Sequence, residues 1–109
     1  KPHSEQEAYA MLRALSGDTH TVYTGVCLRS SRDQRLFTEA TRVWFNPLND
    51  DELRHYIDTY RPYDKAGAYG IQEWIGLIGI SRIEGCYYNV MGLPVARLYQ
   101  ELRQLQMEV

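Results

Sequence analysis

The run Thr19-His20-Thr21-Val22-Tyr23-Thr24-Gly25-Val26-Cys27-Leu28-Arg29 decides the fold, together with its continuation Arg35-Leu36-Phe37-Thr38-Glu39-Ala40-Thr41-Arg42-Val43-Trp44-Phe45. In the first stretch Val22, Thr24, Val26 and Leu28 alternate with Tyr23, Gly25 and Cys27. In the second, Phe37, Thr41, Val43 and Phe45 take one face, and Leu36, Thr38, Ala40, Arg42 and Trp44 take the other. β-Branched and aromatic residues at a period of two describe half-buried strands. Ser30-Ser31-Arg32-Asp33 between them is a short polar turn, so the pair reads as an antiparallel hairpin over about 19–29 and 35–45.

On either side of the hairpin the period changes to that of a helix. Ser4 with Glu7 three residues on has the form of a capping box. Ala8, Met11, Leu12 and Leu15 then make one apolar stripe and Gly17 ends it, predicting a helix over about 5–16. Beyond the hairpin, Asn46-Pro47 stops the strand and Asn49 caps a second helix. Its first turn, Asp50-Asp51-Glu52, suits the positive end of the helix dipole; a metal is the lesser reading of that acidic run. Leu53, Tyr56, Ile57 and Tyr60 supply the stripe to be buried, and Arg61-Pro62 terminates the helix. A third strand is expected over Ile75–Ile83, an extended piece over Cys86–Leu93, and a last helix from Pro94 to about Gln106 that buries Val95, Leu98, Leu102 and Leu105. Helices and strands in this order make an α/β or α+β layered domain.

The chain has 109 residues, enough for one domain, expected over 1–109. With 44% apolar and 24% charged residues it has the composition of a folded protein. The formal net charge of −2 argues against a generally basic nucleic-acid binder, and no apolar run nears the roughly 20 residues that span a bilayer. Cys27 and Cys86 have neither the spacing of a disulfide framework nor that of a zinc site, and a reducing, cytoplasmic compartment is expected. The chain opens on Lys1-Pro2 without a methionine, which suggests a segment upstream.

Residues 62–73 fit neither period. Within Asp64-Lys65-Ala66-Gly67-Ala68-Tyr69-Gly70-Ile71-Gln72 an acid, one of only two lysines, two glycines and a carboxamide fall together. Glycines let a backbone approach a ligand and lend it N–H groups, lysine supplies a point charge for a phosphate, and a glutamine offers a donor and an acceptor at once. A surface turn with a solvated Asp64–Lys65 pair accounts for the same residues equally well. Adjacent residues seldom face one site, which weakens a general acid/base role for that pair. Lys1 suits a phosphate contact or a frayed terminus, the residues themselves favouring the latter. His3, His20 and His55 lack metal-ligand spacing, and no P-loop or dinucleotide fingerprint occurs.

Four segments nevertheless resemble one family, the Maf (septum-formation) nucleoside triphosphate pyrophosphatases. They are Lys1-Pro2; the stretch from Ala8 to Val26 with Leu15-Ser16-Gly17, His20 and Thr24-Gly25; the run Asp64 to Gln72; and Gly85, Tyr87-Tyr88-Asn89-Val90 with Gly92-Leu93-Pro94. The resemblance implies a Maf/ITPase-like layered α/β fold, with a mixed central sheet flanked by helices, here without its N-terminal part. It also implies hydrolysis of dTTP and UTP to the monophosphate and pyrophosphate, with a divalent metal (magnesium or manganese) in the complete enzyme. Position by position, Lys1 matches a phosphate-contacting lysine, Gln72 a position that sets base preference, and Asp64 and Lys65 the loop beside the nucleotide. The catalytic aspartate, the arginine-rich phosphate loop and the metal ligands of the family would lie upstream of Lys1, so no catalytic residue and no metal ligand is expected in this chain, and the chain alone is expected to be inactive. One departure is Glu73-Trp74, where many members have glycine. Self-association, through a sheet edge and helix faces left uncovered, is the expected oligomeric behaviour, with a nucleoside triphosphate as ligand and neither nucleic acid nor membrane as partner. The alternative is a non-catalytic nucleotide-binding or regulatory interaction module linked to cell division.

Overall fold

A computed structural model describes residues 1–108, and side chains through Leu105. The last position of the expected 1–109 domain and the side chain of Gln106 therefore lie outside the described residues. Helix α1 (Glu5–Leu15) leads to strand β1 (Thr19–Arg29), strand β2 (Gln34–Phe45) and helix α2 (Asp50–Tyr60). A short 3₁₀ turn at Ala66–Ala68 precedes helix α3 (Trp74–Gly79), strand β3 (Ile80–Glu84), helix α4 (Tyr87–Met91) and helix α5 (Val95–Glu108). The three strands form an antiparallel sheet in the order β1-β2-β3, so the chain is of the α/β class. The residues group into two compact units. One comprises Lys1–His20 with Val43–Ile83, and the other Thr21–Arg42 with the residues from Glu84 on.

In the first unit α1 begins where the Ser4 hydroxyl accepts the Glu7 amide at 3.1 Å and ends at Gly17, whose φ of 70° a glycine adopts without strain. Its stripe buries Ala8 and Leu12 fully. α2 carries the full reciprocal capping box, with Glu52 N–H to Asn49 Oδ1 at 2.8 Å and Asn49 N–H to Glu52 Oε1 at 2.9 Å. It buries Leu53, Tyr56 and Ile57 against α1, whereas Tyr60, expected in that stripe, is the last residue of the helix and 37% exposed, its ring stacked on Tyr56. Leu53 and Ile57 together remove enough apolar surface from water to contribute on the order of 4 kcal/mol.

The expected third strand over 75–83 is corrected at its start. Trp74–Gly79 are helical, and only Ile80–Glu84 are extended. Burial follows a period of four, with Ile75 and Gly79 inside and Leu77 85% exposed. The two glycines serve close approach, as their positions imply, but in a helix: a Cβ at Gly76 would run into the Ile71 carbonyl, and Gly79 faces the Leu48 side chain.

In the second unit the hairpin turn closes through Ser30 N–H to the Asp33 carbonyl at 2.8 Å, and the Ser30 hydroxyl accepts the Asp33 amide at 3.0 Å. The expected extended piece over 86–93 is instead α4, closed by Gly92 at φ 115°, whose N–H meets the carbonyls of Tyr88 and Asn89. Gly92 followed by Pro94 is a helix-stop signal, which the β-rich composition of Tyr87-Tyr88-Asn89-Val90 obscures. The stripe assigned to α5 is also corrected: Val95 and Leu102 are 39% and 44% exposed. The face that meets β2 is polar. Arg97 and Glu101 pair at 2.9 Å, Arg35 reaches Glu101 at 3.2 Å and Gln104 at 2.8 Å, and the Arg97 guanidinium lies over the Phe37 ring. These bonds hold the Glu101 carboxyl below its ordinary range, Arg97 foremost.

Candidate functional site: the loop from α2 to α3

Arg61-Pro62 breaks α2, and the chain re-enters a helix only at Trp74. Between them the backbone turns through two consecutive left-handed residues, Gly67 at φ 75° and Ala68 at φ 68°. Glycine adopts this conformation freely, but Ala68 stores about 1 kcal/mol or more there, and such strain persists only when the surroundings over-determine it. Ala68 is fully buried, and the turn it belongs to packs against α1.

Two side-chain clusters hold the loop from below. In the first, the Tyr56 hydroxyl from α2 donates to Glu73 Oε1 at 2.8 Å and accepts the Gly70 amide at 3.0 Å. Tyr56 is wholly buried. Its burial pushes the phenol well above its ordinary value; the Gly70 amide opposes this and the Glu73 carboxylate adds to it. A Cβ on Gly70 would stand 2.5 Å from Glu73 Oε1 and 3.3 Å from Lys65 Cε, so the Glu73 carboxylate and the Lys65 stem both lie over that glycine. In the second cluster, Tyr69 is buried edge-on to Phe45 and to His20, with its hydroxyl 2.9 Å from His20 Nε2. Burial raises the Tyr69 phenol and lowers His20, against the opposing pull of Asp18 on the imidazole. The buried His20 Nδ1 has no hydrogen-bond partner among the described residues, which further disfavours a protonated ring.

The loop also carries the polar groups singled out in its sequence. Asp64 is exposed and pairs with Lys65 at 3.6 Å, the lysine being two-thirds covered. Gln72 is exposed, while its neighbour Ile71 is buried. Asp64, Lys65 and Gln72 thus all lie on the loop between α2 and α3, with Asp64 and Lys65 paired. Lys1 stands exposed ahead of α1 and outside this network; Pro2 beside it is buried. Two concavities of about 390 and 420 Å³ are lined by other residues, the first by Glu5, Gln6, Tyr9, Arg54 and Ile57 and the second by residues of the hairpin around Cys27. Among the described residues no three His, Cys, Asp or Glu side chains gather as a metal would need, so no step is assigned to a divalent ion here. No helix among them is long and apolar enough to cross a membrane.

Sequence reasoning left three supporting groups unassigned. Tyr56 reads as one more apolar stripe residue, Glu73 as a departure from a pattern, and His20 as a histidine without metal-ligand spacing. The only signal for the first two is a tyrosine on the buried face of a helix that leads into the loop, with an acid just after it. Neither residue's spacing along the chain shows that they meet.

The chain is of the α/β class and carries a lysine, a carboxamide and two left-handed residues on the loop between α2 and α3. The family model described as Maf-like protein matches residues 1–105, and the chain belongs to that family. Relatives include proteins named dTTP/UTP pyrophosphatase from Phocaeicola vulgatus, 58% identical over 105 residues, and from Bacteroides thetaiotaomicron, 53% identical over 105 residues. Each of these alignments takes in 96% of this chain and 54% of the relative. A protein of the same name from Carboxydothermus hydrogenoformans is 57% identical over 106 residues, covering 95% of this chain and 56% of its own length. The chain thus spans about half the length of the curated relatives it matches.

Proposed function

We propose that this chain carries the base- and phosphate-contacting wall of a nucleoside triphosphate pyrophosphatase that acts on dTTP and UTP. The observation that carries the reading is the 53–58% identity, over nearly the whole chain, to relatives bearing that name. In this reaction water cleaves the anhydride between the α and β phosphates, releasing the nucleoside monophosphate and pyrophosphate.

The loop chemistry fits such a ligand. The Gln72 carboxamide oxygen accepts from the N3–H of uracil or thymine while its NH₂ donates to a ring carbonyl. Cytosine has no N3–H, so an amide held in that orientation leaves its oxygen unpaired against cytosine, a loss worth about 1–3 kcal/mol where water is excluded. An open side at C5 leaves the thymine methyl indifferent. Lys65, steadied by Asp64, and Lys1 are point charges for the phosphates.

The test joins this chain to the remaining part of the Bacteroides thetaiotaomicron relative and measures pyrophosphate release from UTP, dTTP and CTP. UTP and dTTP are turned over in preference to CTP, and Gln72→Ala removes the preference. Equal turnover of all three refutes the base reading. UTP binding without turnover transfers the case to a non-catalytic nucleotide-binding module.

A further inference from the structure

The span Gly70-Ile71-Gln72-Glu73 is a tight arch. The Glu73 amide donates to the Gly70 carbonyl at 3.0 Å, closing the turn, and Ile71 is buried within it while Gln72 points out. Both ends of the arch meet at one oxygen from another element. The Tyr56 hydroxyl takes the Gly70 N–H at 3.0 Å and gives its own proton to Glu73 Oε1 at 2.8 Å. Gln72 is exposed, and its side chain has several rotatable bonds. What the fold does fix is the place and direction of its Cα, and the groups that fix it are the turn bond, the Ile71 anchor and this hydroxyl.

We propose that Tyr56 is a positioning residue for base selection: by tying Gly70 to Glu73 it sets the angle at which Gln72 meets the pyrimidine edge. The inference deepens the dTTP/UTP reading and rests on it. Glu73 belongs to the same device. Its carboxylate accepts the tyrosine proton, and it lies over Gly70 beside the Lys65 stem, so the base-reading and phosphate-reading side chains share one support. The Glu73-Trp74 departure from glycine is, on this account, the half of the clamp that Tyr56 requires.

A phenylalanine at 56 keeps the ring and its packing and removes only the shared oxygen. A looser arch costs the two-point hydrogen bond to uracil its alignment, whereas contacts to ribose and phosphates, common to UTP and CTP, are affected equally. The ratio of the two affinities therefore separates positioning from a general loss of folded protein, which scales both alike.

The experiment titrates the joined protein described above, wild type and variants, with the non-hydrolysable α,β-imido analogues of UTP and CTP by NMR, and follows amide exchange at Gly70 in the same samples. Wild type binds UTP more tightly than CTP. In Tyr56→Phe the ratio falls about fivefold, the worth of one hydrogen bond, and exchange at Gly70 quickens. Glu73→Gln, which keeps an acceptor oxygen, retains most of the ratio. Tyr60→Phe, trimming the hydroxyl of the ring stacked on Tyr56, leaves it unchanged. A Tyr56→Phe chain that keeps the wild-type ratio overturns the clamp and leaves the function standing. A wild type with no preference for UTP overturns both.

Discussion

Replacing Asn89 by aspartate, with alanine as its reference, tests the packing of α4 most sharply. Asn89 is wholly buried, and its Nδ2 faces three acceptors, the carbonyls of Val22 and Glu39 at 3.2 Å each and Thr41 Oγ1 at 3.0 Å. Thr41 in turn accepts the Cys86 amide at 3.1 Å, so one side chain ties α4 to both strands of the hairpin. Asn89→Ala loses two donated hydrogens and leaves buried acceptors unpaired, at about 1 kcal/mol each, or about 2 kcal/mol in all. For a chain of this size that lowers Tm by roughly 10 °C. Asn89→Asp has the same shape but sets a carboxylate oxygen against three other oxygens. An unpaired buried charge costs roughly 3–5 kcal/mol, and the group escapes by keeping its proton. Its folded pKa is thereby raised above the ordinary aspartate value of about 3.9, so the folded state holds a proton the unfolded state has lost. The aspartate variant is then near the alanine variant in stability below about pH 4 and falls progressively below it as pH rises through the folded pKa. Urea denaturation followed by circular dichroism across the pH range reads this directly. An aspartate variant matching wild type near neutrality, or running parallel to the alanine variant at every pH, refutes the reasoning.

Burial lowers His20 from its ordinary value of 6.5, so its contribution is fully present above that pH and is lost as pH falls through the lower, folded value. His20→Gln removes this part of the acid sensitivity; urea midpoints at about pH 5 and pH 7.5 that differ by as much in the variant as in wild type contradict it. Gly85 has φ 129°, and a Cβ there would stand 2.8 Å from Thr41 Oγ1 and 3.0 Å from Thr41 Cα. Gly85→Ala should cost roughly 2–3 kcal/mol in the same urea assay, whereas Gly25→Ala, into open space at an ordinary φ, should change stability little; similar midpoints for the two variants count against this account.

The long elements were legible because their signals are local and redundant. The β1–β2 hairpin alternates through most of both strands, from Val22 to Arg29 and from Gln34 to Phe45, and α2 announces itself by Asn49 and Glu52 before any packing is considered. The misreadings share a cause. Trp74–Gly79 and Tyr87–Met91 are helices of six and five residues, too short for a 3.6 period to separate from alternation, and both are rich in residues that favour strands. In α5 the spacing of Val95, Leu98 and Leu102 is a true helical stripe. What it could not show is that Arg97, Glu101 and Gln104, on another side, meet β2 through Arg35 and Phe37.

For the loop, sequence supplied the chemistry and the fold supplied the support. Lysine, carboxamide and glycines stand within nine residues, and that density marks residues 64–72 without any structure. Yet side chains of that kind on an untied turn would sample many arrangements, and the proposed discrimination between uracil and cytosine, which differ at N3 and C4, needs a fixed one. The tie comes from residues whose spacing carries no pattern: Tyr56, fourteen positions before the amide it accepts, and His20 and Phe45, on strands, beneath Tyr69. Each belongs to an element that forms for its own reasons, so the strain at Ala68 is borne by α1, α2 and the strand ends rather than by the loop. On the proposed function, removing the hydroxyl of Tyr56 or, by alanine, the whole carboxylate of Glu73 should act on base preference, while a substitution of exposed Asp64, the partner of Lys65, should act on phosphate affinity without regard to the base.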